Sequence, residues 1–107
     1  MDVQLKISDN RDDELNYLNI CVGTVIRKLR RGRNLSGEIL GTLTGYSQQQ
    51  ISRYERGGCN FTIPVLMRFA DAFNISVWDL IDKIRVFYVT GNDNYYPDDK
   101  WGGSLYL

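Results

Sequence analysis

A stretch in the middle of the chain, Leu35–Gly57, reads LSGEILGTLTGYSQQQISRYERG and constrains everything built around it. It predicts two short helices joined by a tight turn. Ser36 is placed to cap the first helix, because its hydroxyl can accept from an amide one turn on that has no partner within the helix. Glu38 then sits in the first turn, where the helix dipole favours a negative charge. Gly41 and Gly45 are small residues four apart. Gly41 lets two helices cross closely, and Gly45 supplies the left-handed residue of a steep turn. Ser47 caps the second helix, which turns Ile51 and Tyr54 inward with Tyr46 just before it. Gln48, Gln49, Ser52, Arg53 and Arg56 lie on its other faces, and all can donate hydrogen bonds.

At these residues the sequence resembles the Cro/C1-type (XRE) helix-turn-helix family of repressors, most specifically in SQQQISRYERG. The resemblance implies double-stranded DNA as partner, with the start of the second helix in the major groove. It places Gln48, Gln49, Ser52 and Arg53 at base edges. The chemistry suits that role, since Gln bonds adenine and Arg bonds guanine bidentately. The phosphate contacts it implies are Ser36, Ser47, Arg31, Arg33 and Arg56. The competing reading is a merely polar, solvated helix face, and for Arg31 or Arg33 taken alone it is ordinary charge at a helix C-terminus.

A chain of 107 residues with 43% apolar content fits one domain with one core. No run approaches the ~20 apolar residues of a membrane helix and no signal-peptide pattern opens the chain, so a cytoplasmic protein is expected. With no histidine and only Cys21 and Cys59, the common zinc sets and histidine-based triads are excluded, and no cofactor, metal or enzymatic activity is expected. Cys21 reads as a small core residue and Cys59 as a free thiol in a loop.

Net charge is zero, but the charges are segregated. From Ile20 to Gly57 seven basic residues stand against two acidic ones, a balance of +5, while residues 1–19 carry −3 and the remainder −2. Positive charge concentrated on the motif and the helix before it is the pattern of a phosphate-binding face.

In chain order, residues 1–12 read as a loose arm or frayed start. Residues 13–83 form the DNA-binding domain. Leu15, Leu18, Val22, Val25, Ile26 and Leu29 predict a helix from Asp13 that ends near Gly32 in a left-handed cap. After the motif, Thr62 caps a helix with Pro64 in its first turn and an apolar stripe from Ile63 to Phe73; Asn74 ends it. Ser76 and Asp79 have capping-box spacing and open a short helix through Trp78, Leu80 and Ile81. The fold class expected is all-α, five helices, covering about residues 20–82 of the resemblance. Two positions depart from the family pattern: Thr44 replaces a buried leucine and Leu43 a polar residue.

Residues 84–107 form a C-terminal extension. Ile84, Val86 and Tyr88 alternate with Arg85, Phe87 and Val89, which favours a β-strand or a helix running into one. Val86, Tyr88, Tyr95 and Trp101 are candidate dimerisation residues, with a tail folded over its own domain as the alternative. The length, the SQQQISRYERG segment and this Tyr/Trp-containing tail resemble the small MrpJ-type regulators encoded with fimbrial operons. That resemblance implies a repressor of flagellar genes that binds the promoter of the flagellar master operon, and a homodimer is expected because one domain reads only a few base pairs. The alternatives are a phage-type repressor, a restriction controller or an antitoxin on the same fold, or a protein-binding module that uses the aromatic tail.

Overall fold

Hydroxyl side chains fix where four of the helices begin. The computed structural model describes the backbone of residues 2–91 and the side chains of residues 11–91. Its five helices are α1 (Asp2–Gly32), α2 (Gly37–Thr44), α3 (Gln48–Glu55), α4 (Ile63–Phe73) and α5 (Val77–Thr90). No strand occurs among the described residues. Ser36 Oγ accepts from the Ile39 amide and Ser47 Oγ from the Gln50 amide, both at 3.0 Å. Thr62 Oγ1 accepts from Val65 at 3.3 Å, and Ser76 Oγ from Asp79 at 3.0 Å. Each such cap contributes about 1 kcal/mol. Gly45 at φ 85° and Asn74 at φ 61° end α2 and α4 in the left-handed region, as their residue types predict.

The core draws one stripe from every helix. Val22, Val25, Ile26 and Leu29 of α1 meet Leu40, Ile51, Leu66, Phe69, Phe73, Leu80 and Ile84. Tyr54 stands edge-on to Phe69, ring centroids 5.5 Å apart, and Tyr46 lies 5.3 Å from Tyr54. This aromatic cluster joins α3 to α4 through the turn before α3. Thr44, in the place of a buried leucine, is 5% exposed, and its hydroxyl donates to Leu40 O at 2.8 Å. The local bond satisfies a polar group that burial would otherwise penalise. Leu43 faces outward. Cys21 is buried and Cys59 half-buried, and neither is in a disulfide.

Four expectations are corrected. Helix α1 begins at Asp2, so residues 2–12 continue the helix instead of forming a loose arm. No Gly or Pro interrupts that segment, and Arg11 and Glu14 pair at 3.8 Å one turn apart across its junction with the predicted helix. The left-handed residue after α1 is Asn34, φ 58°, not Gly32. Residues 84–90 are the last turns of α5 rather than a strand, and the boundary drawn between 83 and 84 falls inside that helix. Leu80, Ile84 and Phe87 recur at helical spacing against the core, and this burial overrides the two-residue alternation and the β-branched residues. Finally, Val86 is 5% exposed within its own chain, so it offers no surface to a second subunit. Tyr88 packs its ring 5.5 Å from that of Tyr17. Tyr95 and Trp101 lie outside the described residues. Among those residues no helix is long and apolar enough to cross a membrane.

Candidate nucleic-acid interface

Helix α3 owes its position to contacts at its inner face and its C-terminal end. The amide of Tyr46 bonds Gly41 O at 3.0 Å, closing the turn, and a Cβ on Gly41 would stand 2.5 Å from Tyr46 O. At the far end, Gly23 of α1 lies so close that a Cβ there would meet Tyr54 O at 2.4 Å and Glu55 O at 2.5 Å. Arg30 of α1 then clamps Glu55 with two bonds, Nε to Oε2 at 2.6 Å and Nη2 to Oε1 at 3.0 Å. A third bond runs from Arg30 Nη1 to Leu35 O at 2.9 Å. One guanidinium therefore ties α1, the α1–α2 turn and the end of α3 together. The hydrogen bonds that Arg30 donates to Glu55 hold the Arg30 pKa above its ordinary value, against the opposing effect of burial.

The outer face of α3 is turned to solvent. Gln48, Gln49 and Arg53 are exposed. Gln50 turns the other way and donates to Cys59 Sγ at 3.8 Å. Ser52 is half-buried, and its hydroxyl accepts a bond from Arg56 Nη1. Ser36 and Ser47 are both exposed at the starts of α2 and α3. The two starts are neighbours, since a Cβ on Gly37 would touch Gln48 Cγ at 3.8 Å. Two sets of amides near helix starts, with the positive ends of two helix dipoles, therefore converge beside Gln48.

A cleft of about 340 Å³ opens next to this point, lined by Arg27, Arg30, Gly37, Gln48, Ile51, Ser52, Glu55 and Arg56. Because Glu55 is committed to Arg30, the charge presented by the cleft comes from Arg27 and Arg56, both exposed. Arg31 is exposed on the last turn of α1. The structure thus brings Gln48, Gln49, Ser52, Arg53, Arg56, Ser36 and Ser47 onto or beside one helix surface.

Arg33 does not join them, and the phosphate contact expected of it is corrected. Its Nε donates to Phe73 O at 3.2 Å and its guanidinium lies 5.4 Å from the centroid of the Phe73 ring. It serves the C-terminal end of α4, and burial lowers its pKa. Arg27 lines the cleft although the sequence reading gave it no DNA contact. Its signal was present, since it occupies the helical position one turn before Arg30 and Arg31 in the basic segment.

Comparison with known proteins bears on the fold. The model of the helix-turn-helix domain family matches residues 22–80. An HTH-type transcriptional regulatory protein of Methanosphaerula palustris is 36% identical over 69 residues, which cover 64% of this chain and 22% of that one. The chain therefore spans about a fifth of the length of that relative. The HTH-type transcriptional regulator y4dJ of Sinorhizobium fredii is 37% identical over 60 residues, covering 56% of this chain and 78% of its own length. Among solved structures, the clp gene regulator ClgR from C. glutamicum superposes with a TM-score of 0.61 at 22% identity, over 64% of this chain and 90% of that one. This last likeness concerns the fold.

Proposed function

The chain belongs to the helix-turn-helix domain family of transcriptional regulators, and from that premise we propose that it is a homodimeric repressor, acting in the cytoplasm, that lays α3 of each copy into the major groove of an operator. The observation that carries this reading is the exposed, hydrogen-bonding start of α3 between two serine-capped helix starts and a row of exposed arginines. In the complex, Gln48, Gln49 and Arg53 select bases. Ser36 and Ser47 bond phosphates, while Arg31, Arg56 and Arg27 supply charge alongside them. Ser52 is assigned to hold Arg56 rather than to read a base. One such domain reads only a few base pairs, so two copies with α3 helices about 34 Å apart supply the specificity.

The target assigned is the promoter of the flagellar master operon, and its support is the likeness of SQQQISRYERG and of the Tyr- and Trp-containing C-terminus to the MrpJ-type regulators. The test is a salt titration of binding to that promoter fragment and to a scrambled duplex. A preference of about 10³-fold or more with a steep negative salt slope is expected. Arg53→Ala is expected to cost about 1–3 kcal/mol on the promoter and much less on the scrambled duplex. Equal binding to both duplexes discards the operator, and equal loss on both shows that Arg53 touches only phosphate.

A further inference from the structure

Helix α2 ends without a cation of its own. Its last turn holds no basic residue, so the negative end of its dipole and its last carbonyls must find a partner elsewhere. Arg68 of α4, 24 residues on, is that partner: its Nη1 donates to Thr44 O at 3.0 Å. The same guanidinium lies over the Tyr46 ring, 5.4 Å from its centroid, and a Cβ on Gly45 would stand 3.2 Å from Nη1. Arg68 thereby closes over Thr44, Gly45 and Tyr46, the turn between α2 and α3. Within the turn, the Tyr46 amide bonds Gly41 O at 3.0 Å and Thr44 Oγ1 at 3.4 Å, while the Thr44 hydroxyl donates to Leu40 O. The Tyr46 ring is braced by Tyr54 at 5.3 Å and by Phe69 at 5.8 Å.

What this turn controls is the direction of α3. Gln48 and Gln49 are exposed, and the start of α3 is joined to the domain through the backbone of the turn. A tilt of about 10° there displaces a side-chain end about 10 Å away by about 2 Å, well beyond the ~0.5 Å within which a recognition group must be held. Arg68 belongs to α4, which contributes no residue to the surface assembled around Gln48, and it is itself exposed, so it adds little to the core. We infer that Arg68 is a positioning residue for DNA recognition. It touches no base; by holding Thr44 O and the face of Tyr46 it sets the angle at which α3 presents Gln48, Gln49 and Arg53. The inference deepens the reading of α3 as the recognition helix and rests on it. A guanidinium suits this work better than an ammonium, because one flat group can bond a carbonyl at its edge and lie over a ring with its face.

The test begins with selection of preferred duplexes from a random pool by the full chain. Affinity for the selected duplex and for a random one is then measured across a salt series, for the wild type, Arg68→Met and Arg68→Lys. Met keeps most of the stem and removes the donors; Lys keeps the charge and loses the flat group. Arg68→Met is expected to lower the ratio of selected to random affinity about tenfold, with both salt slopes within about half a counterion of the wild type. Arg68→Lys is expected to fall between the two. A second readout needs no DNA: in Arg68→Met the amides of Gly45 and Tyr46 are expected to exchange hydrogen about tenfold faster, while those of Phe69 and Ala70 keep their rates. Equal losses on both duplexes, with slopes lower by about one, show that Arg68 contacts phosphate itself and overturn the proposal. Exchange that quickens uniformly across the domain assigns Arg68 to general stability and overturns it as well. An unchanged ratio in Arg68→Met overturns the positioning role and leaves α3 standing as the recognition helix. A wild type that binds every duplex alike overturns the reading of α3, and the positioning role falls with it.

Discussion

The two ends of α3 are held in opposite ways. Its C-terminal end is locked: Gly23 brings α1 against the Tyr54 and Glu55 carbonyls, and Arg30 grips Glu55 by two bonds. Its N-terminal end is held through backbone alone, by the serine cap and the close turn at Gly41, and leaves the side chains of Gln48 and Gln49 exposed. A helix that must place side chains at base edges to within a fraction of an ångström benefits from rigidity at the end away from the ligand and accessibility at the end toward it. Stability and recognition are therefore expected to separate along α3. Substitutions near residue 55 should cost folding, and substitutions near residue 48 should cost DNA affinity alone.

The hardest strain on that division is Gly23→Ala. The added methyl would sit 2.4 Å from a carbonyl oxygen that belongs to helix backbone, so one helix must move away from the other. A loss of about 3 kcal/mol or more is expected in urea unfolding. A variant as stable as the wild type would mean that α3 is not locked there. Next is Glu55→Ala. Arg30 and Glu55 side chains are 15% and 8% exposed, so removing the acid strands a mostly buried guanidinium, at about 2–3 kcal/mol. The double change Arg30→Met with Glu55→Leu should recover more than half of that loss, since it removes both charges. No recovery would show that the pair works through its bond to Leu35 and not through charge.

The same division explains what could be read from the chain alone. The start of α3 is built from local chemistry: a serine cap at 47, a glycine at 45, donors at fixed offsets. Such features are written within a few residues of one another, as are the caps at Ser36, Thr62 and Ser76 and the left-handed Asn74. The lock at the other end joins residues 25 apart in sequence, and nothing local marks Glu55 as the partner of Arg30. In a charge count Glu55 merely subtracts from the basic segment. Arg31 and Arg33 look alike in the same way, two positions apart in one basic run. Only the arrival of Phe73, 40 residues on, takes Arg33 out of the candidate DNA surface. The extent of α5 was hidden for a related reason. Alternation over six residues also fits a helix once Leu80 starts the count, and the core decides between the two.

Lys83 sharpens the contrast from the opposite sign. Arg30 is buried with a carboxylate gripping it, whereas burial and the nearby Arg33 push the Lys83 ammonium down to about 8, against the pull of Asp79 and Asp82. In the unfolded chain the same group titrates near 10.4. Between those values the unfolded state binds more protons, so the wild type gains stability as pH rises through that window. The contribution is complete above the unfolded value and is lost as pH falls through about 8. Lys83→Met is therefore expected to be more stable than the wild type at pH 7, by about 1–2 kcal/mol, with the difference shrinking toward pH 10. Parallel urea titrations across that range check it, and a difference that does not change with pH rules out desolvation of Lys83 as its source.

Ser47→Asp carries the smallest expected change in stability and separates the two ends most cleanly. Ser47 Oγ accepts from the Gln50 amide at 3.0 Å, and aspartate makes the same cap equally well. Its charge also suits the positive end of the helix dipole. Unfolding should therefore stay within about 0.5 kcal/mol of the wild type. On DNA the outcome reverses. A carboxylate at the exposed start of α3 would face the phosphate backbone, replacing a hydroxyl that can donate with a group that can only accept. Affinity for any duplex is expected to fall about tenfold and the salt slope to flatten by about one counterion. If Ser47→Asp binds as the wild type does, the start of α3 does not approach phosphate. The groove-facing surface would then have to be sought elsewhere on the domain, and the locked end of α3 would be its first candidate.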